Sequence, residues 1–158
     1  MFLTESKLTM KFFRLQTVIS ITFIAFLFSS CSVEPVAIEY GKDACHFCKM
    51  NIVDSQHAAE IVTKKGKAFK YDAIECMMQN RFNWQEEEIG LFLMTDYSTP
   101  GNLINATTAH YLISEGLSSP MGGNLTGFEN KADAEKTKEE KGGKVLTWNE
   151  LKEVYSGK

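Results

Sequence analysis

The chain has 158 residues, 44% of them hydrophobic and 23% charged, which is typical of one domain or two very small ones. The 11 glycines and 3 prolines exclude a collagen-like or low-complexity chain, and a net charge of −3 disfavours a nucleic-acid partner, since such partners are held by an excess of basic residues. Four cysteines are too few for a disulfide-dense scaffold, but they suffice for one bridge, a metal site or a lipid attachment.

The first thirty residues have the pattern of an export signal. Lys11 and Arg14 precede an apolar run at 18–28, which leads through two serines to Cys31. The run is too short to cross a membrane, because a helical span needs about 20 apolar residues. Small residues before a cysteine resemble the lipobox of bacterial lipoproteins, so residues 1–30 are predicted to be a lipoprotein signal peptide and Cys31 the lipidated residue. Ordinary cleavage that leaves Cys31 as a free thiol is the alternative.

Removal of residues 1–30 takes away three basic residues and one acidic residue, so the exported chain of 128 residues carries a net charge of −5. Residues 31–42 lack periodicity and contain Pro35 and Gly41, which indicates a lipidated tether. Ser32 favours the outer membrane over the cell membrane, by resemblance to lipoprotein-sorting signals. The domain is therefore expected outside the cytoplasm, facing the periplasm.

Residues 43–100 are predicted to form a first ββαβ unit that carries a CxxCxM motif. A hairpin precedes a short helix with apolar residues at i, i+3 and i+4, and a continuous apolar run then indicates a strand buried on both faces. Asp72 and Glu75 have the spacing of a capping box at the start of the helix. The predicted elements are a strand at 57–63, a strand through Phe69 and Tyr71, a helix through Ile74, Met77 and Met78, and a strand at 89–94.

Residues 101–158 repeat this order and add a C-terminal helix. The predicted fold is therefore α+β, with two small ββαβ units in tandem forming one compact exported domain. Asn130 is a predicted helix N-cap, Gly142 a predicted helix end, and Thr147 with Glu150 a capping box. The predicted elements are a strand over Leu103–Ile113, a strand at 125–128, a helix at 132–141, a strand at 145–146 and a helix at 148–155.

Soft metal ligands are concentrated in one short segment. Asp43, Cys45, His46, Cys48 and Met50 lie within eight residues. Thiolate and thioether together favour Cu(I), whereas zinc has little use for a methionine sulfur. In an extended segment Cys48 and Met50 would point to the same side, with Cα atoms about 7 Å apart.

A second soft donor, Met121, lies between Pro120 and two glycines and belongs to no helical or strand stripe, so it is expected to be presented rather than packed. Cys48, Met50 and Met121 would suffice for Cu(I), completed by Cys45, water or a partner's ligand. His46 is a further candidate ligand. Such an incomplete shell suits the transfer of the ion.

Three other interpretations compete with copper. Cys45 and Cys48 could form a disulfide or an exported thiol–disulfide redox pair, or they could belong to a structural zinc module in which the methionines are core. Cys76 is expected to be a buried free thiol on the first helix, with Met77 and Met78 in the core. The sequence contains no nucleophile elbow, phosphate loop or zinc-protease motif, so no enzymatic activity is expected.

Several motifs, in the same order, resemble the NosL family of copper(I)-binding lipoproteins, accessory proteins of nitrous oxide reductase. The resemblance implies two ββαβ units, a Cu(I) site of Cys48, Met50 and Met121, and delivery of copper to nitrous oxide reductase. Members often have Gly or His where this chain has Lys49. The motifs are Cys31, Asp43-x-Cys45-x-x-Cys48-x-Met50, Phe69-x-Tyr71-Asp72-x-Ile74-x-Cys76-Met77, Pro120-Met121-Gly122-Gly123 and Lys144-Val145-Leu146-Thr147-Trp148.

Overall fold

A computed structural model describes residues 32–156, so the predicted signal peptide and the predicted lipidation site Cys31 lie outside the described residues. Within the described part, no helix is both long and apolar enough to cross a membrane. The strands are β1 (Ala59–Thr63), β2 (Ala68–Tyr71), β3 (Ile89–Asp96), β4 (Thr99–Asn105), β5 (His110–Ile113), β6 (Leu125–Phe128) and β7 (Lys144–Thr147); the α-helices are α1 (Ile74–Asn80), α2 (Lys131–Lys141) and α3 (Trp148–Ser156). Short 3-10 turns follow α1 at Arg81–Asn83 and Glu86–Glu88.

The predicted α+β fold is confirmed. A four-stranded sheet has the order β2-β1-β3-β4, and a three-stranded sheet has the order β6-β5-β7, with antiparallel pairing throughout. The elements β1-β2-α1-β3 and β5-β6-α2-β7 are the two ββαβ units, to which β4 and α3 are added. Both units contribute to one core, in which Tyr71 and Met94 of the first unit are buried with Tyr111 and Leu125 of the second.

The single strand predicted over Leu103–Ile113 is wrong. Strand β4 ends at Asn105 and pairs with β3 in the first sheet, and β5 begins at His110 in the second sheet. The break is an Asx turn, because the Asn105 side-chain oxygen accepts hydrogen bonds from the Thr107 backbone N–H at 2.9 Å and its hydroxyl at 2.8 Å. The first sheet therefore extends past residue 100, where the first unit was expected to end.

The capping box predicted at the start of α1 is also wrong. The helix follows the extended residue Ala73, and no side-chain hydrogen bond caps its first turn within the described residues. Asp72 and Glu75 are instead 3% and 2% exposed, and their carboxyl groups point into the interior. Tertiary packing has overridden the local capping preference at this position.

The C-terminal capping box is confirmed. Glu150 Oε2 accepts hydrogen bonds at 2.8 Å from both the backbone N–H and the hydroxyl of Thr147, and the Glu150 N–H donates back to Thr147 Oγ1 at 3.4 Å. Helix α3 then buries Trp148, Leu151 and Tyr155 against the core. Gly142 ends α2 with φ of 72°, as its position predicted, whereas Asn130 is the N-cap residue without a side-chain capping bond.

Candidate metal centre

The Cys-rich segment forms a tight loop. An isolated antiparallel bridge joins Ala44 to Asn51, and within it the Cys45 N–H donates to the Met50 carbonyl at 2.8 Å and the Lys49 N–H to the Cys45 carbonyl at 3.1 Å. Lys49 has φ of 66°, in the left-handed region that favours glycine. The extended conformation expected for Cys48 and Met50 is wrong, because the chain reverses direction between the two cysteines and Met50.

Asp43 and His46 attach this loop to β2. The Lys70 ammonium lies 2.6 Å from Asp43 Oδ2, and the His46 N–H donates to the Lys70 carbonyl at 2.8 Å. The hydrogen bond from Lys70 holds the pKa of Asp43 below its ordinary value. Asp43 is thus a structural member of the motif, because it fixes the loop beside the strand that leads into α1.

Three thiols converge at this point. The Sγ atoms of Cys45, Cys48 and Cys76 all lie within 4.8 Å of one another, and the three cysteines are free. Cys45 and Cys76 are 1% and 0% exposed, whereas Cys48 is half-buried. The Cys48 N–H also donates to Cys45 Sγ at 3.5 Å, so the loop backbone itself contributes a donor to the sulfur cluster.

The prediction that Cys76 is buried is confirmed, but its place in the cluster was missed. Cys76 follows Cys48 by 28 positions and lies on another element, so spacing gives no sign that the two meet. One feature of the sequence could have indicated this position. The motif from Phe69 to Met77 places Cys76 just after the hairpin of β1 and β2, and the Cys-rich loop contacts that hairpin.

Hydrogen bonding and burial give the three thiols different pKa values. The Cys76 thiol donates to Cys45, which lowers the pKa of Cys45 and raises the pKa of Cys76. Burial raises the pKa of Cys48, and the pKa of Asp72 is raised by its burial and by the neighbouring Cys45. Among the three thiols, Cys45 is therefore the one whose thiolate form its neighbours stabilise.

Both predicted methionine ligands are presented at the surface. Met50 is 48% exposed and Met121 is 36% exposed, so neither is a core residue. The loop that carries Met121 turns at Gly122, whose φ is 70° and whose N–H donates to the Ser119 carbonyl at 3.0 Å. The thioethers are thus available to an ion or to a partner.

The Met121 loop is attached to the helix that carries Cys76. The buried Ser119 hydroxyl donates to Glu75 Oε1, and a Cβ atom at Gly123 would lie 2.8 Å from the same carboxylate. Glu75 precedes Cys76 in the chain. A buried carboxylate therefore links the loop that presents Met121 to the thiol cluster.

His46 lies outside the cluster. Its ring packs edge-on against Phe69, with ring centroids 4.7 Å apart, and against Tyr71 at 6.2 Å. Partial burial, reinforced by Lys49, lowers the pKa of His46. The Lys49 ammonium donates to the His46 carbonyl, so this residue's positive charge is held by the loop backbone.

This fold and site define a small α+β protein with a sulfur-rich centre suited to a soft metal ion. The NosL family profile matches residues 35–156, and the chain belongs to the NosL family. It is 28% identical, over 134 residues, to the copper-binding lipoprotein NosL of Stutzerimonas stutzeri; the match covers 76% of this chain and 67% of that protein. The crystal structure of the copper chaperone NosL from Shewanella denitrificans shares the fold with a TM-score of 0.66 and 23% identity, over 75% of this chain and 96% of that one.

Proposed function

We propose that the protein is a metallochaperone that binds Cu(I) at Cys48, Met50 and Met121 and releases it to a copper enzyme. One observation carries the proposal: the half-buried thiol of Cys48 lies within 4.8 Å of two buried thiols, and the candidate thioethers of Met50 and Met121 are both exposed. Thiolate and thioether are soft ligands that select Cu(I). The printed names of the two relatives, one copper-binding and one a copper chaperone, support copper as the cargo.

A ligand set of one thiol and two thioethers explains how the ion could be both held and released. Cys48 supplies a thiolate, whose proton is lost when the metal binds, and the thioethers of Met50 and Met121 have no proton to lose. Because both methionines are exposed, a partner's ligand can approach and replace them one at a time. The transfer is an exchange of ligands without redox change, so no catalytic residue is required.

Neither a thiol–disulfide redox pair nor a structural zinc site fits the geometry as well as a Cu(I) site. In a thiol–disulfide redox pair the attacking cysteine is accessible, whereas here Cys45 is buried and Cys48 is half-buried. A structural zinc ion takes four ligands in a tetrahedron, and the potential His, Cys, Asp and Glu ligands that cluster among residues 32–156 are three cysteines. These observations favour a soft ion of low coordination number.

We further propose where the protein acts and which enzyme receives its copper. Lipidation of Cys31, followed by the tether at 31–42, would hold the domain at the periplasmic face of a membrane, with the outer membrane favoured. The resemblance to the NosL family makes nitrous oxide reductase the proposed client. A membrane-attached chaperone would meet this client outside the cytoplasm.

Transfer of copper from the isolated lipoprotein to metal-free nitrous oxide reductase tests the proposal. We expect Cys48→Ser to lower Cu(I) affinity at least tenfold and Met121→Leu to slow transfer several-fold, whereas His46→Asn should change neither, since that ring packs on Phe69. Affinity is measured anaerobically against a competing Cu(I) chelator. Unchanged affinity in the Cys48 variant, or unchanged transfer in the Met121 variant, would show that the ligand assignment is wrong.

A further inference from the structure

A third thiol stands outside the proposed ligand set. Cys76 is fully buried on α1, and its Sγ lies within 4.8 Å of the Sγ atoms of Cys45 and Cys48. The cluster thus has a buried inner side, formed by Cys45 and Cys76, and an outer side at Cys48. Copper held only by the outer ligands would leave the two buried thiols unused.

We propose that Cys45, Cys48 and Cys76 form an inner three-thiolate position for Cu(I), distinct from the outer position and sharing Cys48 with it. The inference rests on the proposed function for the identity of the ion. With metal–sulfur bonds of about 2.3 Å, a trigonal ion needs sulfur–sulfur separations of about 4 Å. The three sulfur atoms, all within 4.8 Å of one another, are close to this spacing.

The surroundings suit a buried cation. Asp72 and Glu75 are both buried, and Asp72 Oδ1 and Glu75 Oε2 have no hydrogen-bond partner within residues 32–156. Asp72 directly precedes Ala73, the residue before α1, and Glu75 directly precedes Cys76 within that helix. A positive ion among the thiols offsets the desolvation of nearby acidic groups, which is unfavourable when no counter-charge is present.

In this proposal the inner position retains copper and the outer position releases it. Copper enters on Cys48, Met50 and Met121, and moves inward when Cys45 and Cys76 replace the two thioethers while Cys48 stays bound. A thiol that is still protonated gives its proton to solvent as it binds, and neither copper nor sulfur changes oxidation state. The reverse exchange returns the ion to the exposed position for transfer.

The doubly substituted protein Met50→Leu, Met121→Leu separates the two positions. In the full lipoprotein, loaded anaerobically with one equivalent of Cu(I), we expect X-ray absorption to show three sulfur neighbours, Cu(I) affinity within about threefold of the unsubstituted protein, and slower transfer. Adding Cys76→Ser should remove one sulfur neighbour and lower affinity at least tenfold. Met78→Leu, which changes a buried sulfur residue two positions after Cys76 on the same helix, is the matched control and should change nothing.

Two results would overturn the inner position. One is a doubly substituted protein with fewer than three sulfur neighbours; the other is a Cys76 variant with unchanged sulfur number and affinity. If the Cys76 variant does not fold, as judged by circular dichroism, the sulfur count of the doubly substituted protein decides alone, since Cys45 and Cys48 supply only two. An unsubstituted protein that binds no Cu(I) would instead refute the proposed function.

Discussion

Helices α1 and α2 occupy the same place in the two ββαβ units, yet they have opposite characters. Six of the seven residues of α1 are buried, among them Glu75, Cys76 and Asn80, whereas α2 has eleven residues and buries only Ala134. A scaffold helix rarely buries a carboxylate with one oxygen left without a hydrogen bond, as at Glu75 Oε2, because such burial costs stability. The difference is that the helix of the first unit buries an acidic group and a thiol beside the Cys-rich loop, whereas the helix of the second unit is largely solvated.

The largest expected effect is on the free energy of unfolding, which should respond differently to substitutions in the two helices. Met77→Ala in α1 should lower the free energy of unfolding by about 3 kcal/mol, because it deletes a fully buried side chain and leaves a cavity. The exposed Lys136→Ala in α2 should change it by less than about 0.5 kcal/mol. Urea unfolding of the metal-free protein measures both, and equal effects would remove the contrast between the helices.

An intermediate effect is expected where the two units meet. Ser119→Ala should cost about 2 kcal/mol, because it leaves the buried Glu75 carboxylate without the hydroxyl that donates to it. It should also slow copper transfer, since the loop that presents Met121 loses its attachment to α1. Ser118→Ala is the matched control at an exposed position. If both serine variants behave alike in unfolding and transfer, the proposed link between loop and helix is absent.

The smallest effect concerns the loop backbone. Lys49 has φ of 66°, so Lys49→Gly should relieve left-handed strain and raise the free energy of unfolding by about 0.5 kcal/mol. Lys49→Ala removes the same ammonium but keeps the strain, and it should therefore not stabilise the protein. Thermal unfolding of the pair measures the difference. Equal stability of the glycine and alanine variants would exclude backbone strain as the cause.

Local patterns predicted much of the fold. The hairpin of β1 and β2 and the capping box of Thr147 and Glu150 depend on neighbours in sequence, and the structure contains both. The capping box of Asp72 and Glu75 has the same local signal, but its carboxylates are directed inward by packing against distant residues. The division of the strand expected over Leu103–Ile113 was not predicted, because the Asn105 turn that divides it contains neither glycine nor proline.

The site was predictable only in part for the same reason. Cys45, Cys48 and Met50 were predicted together because they are close in sequence, and Met121 was predicted because it belongs to no periodic pattern; copper ligation by Cys48, Met50 and Met121 stays a prediction. Cys76 fits an apolar helix equally well with or without a metal role, since buried cysteine packs as a small hydrophobe. Only the tertiary structure shows that its Sγ meets the other two.

The metal content of the protein purified without oxygen, after exposure to equal Cu(I) and Zn(II), tests the central claim most directly. Native mass spectrometry reports the bound metal, and the loss of two hydrogens would report a disulfide. We expect the protein to contain copper and no zinc, with Cys45, Cys48 and Cys76 all reduced. Stoichiometric zinc, or a metal-free protein with a Cys45–Cys48 disulfide, would contradict it.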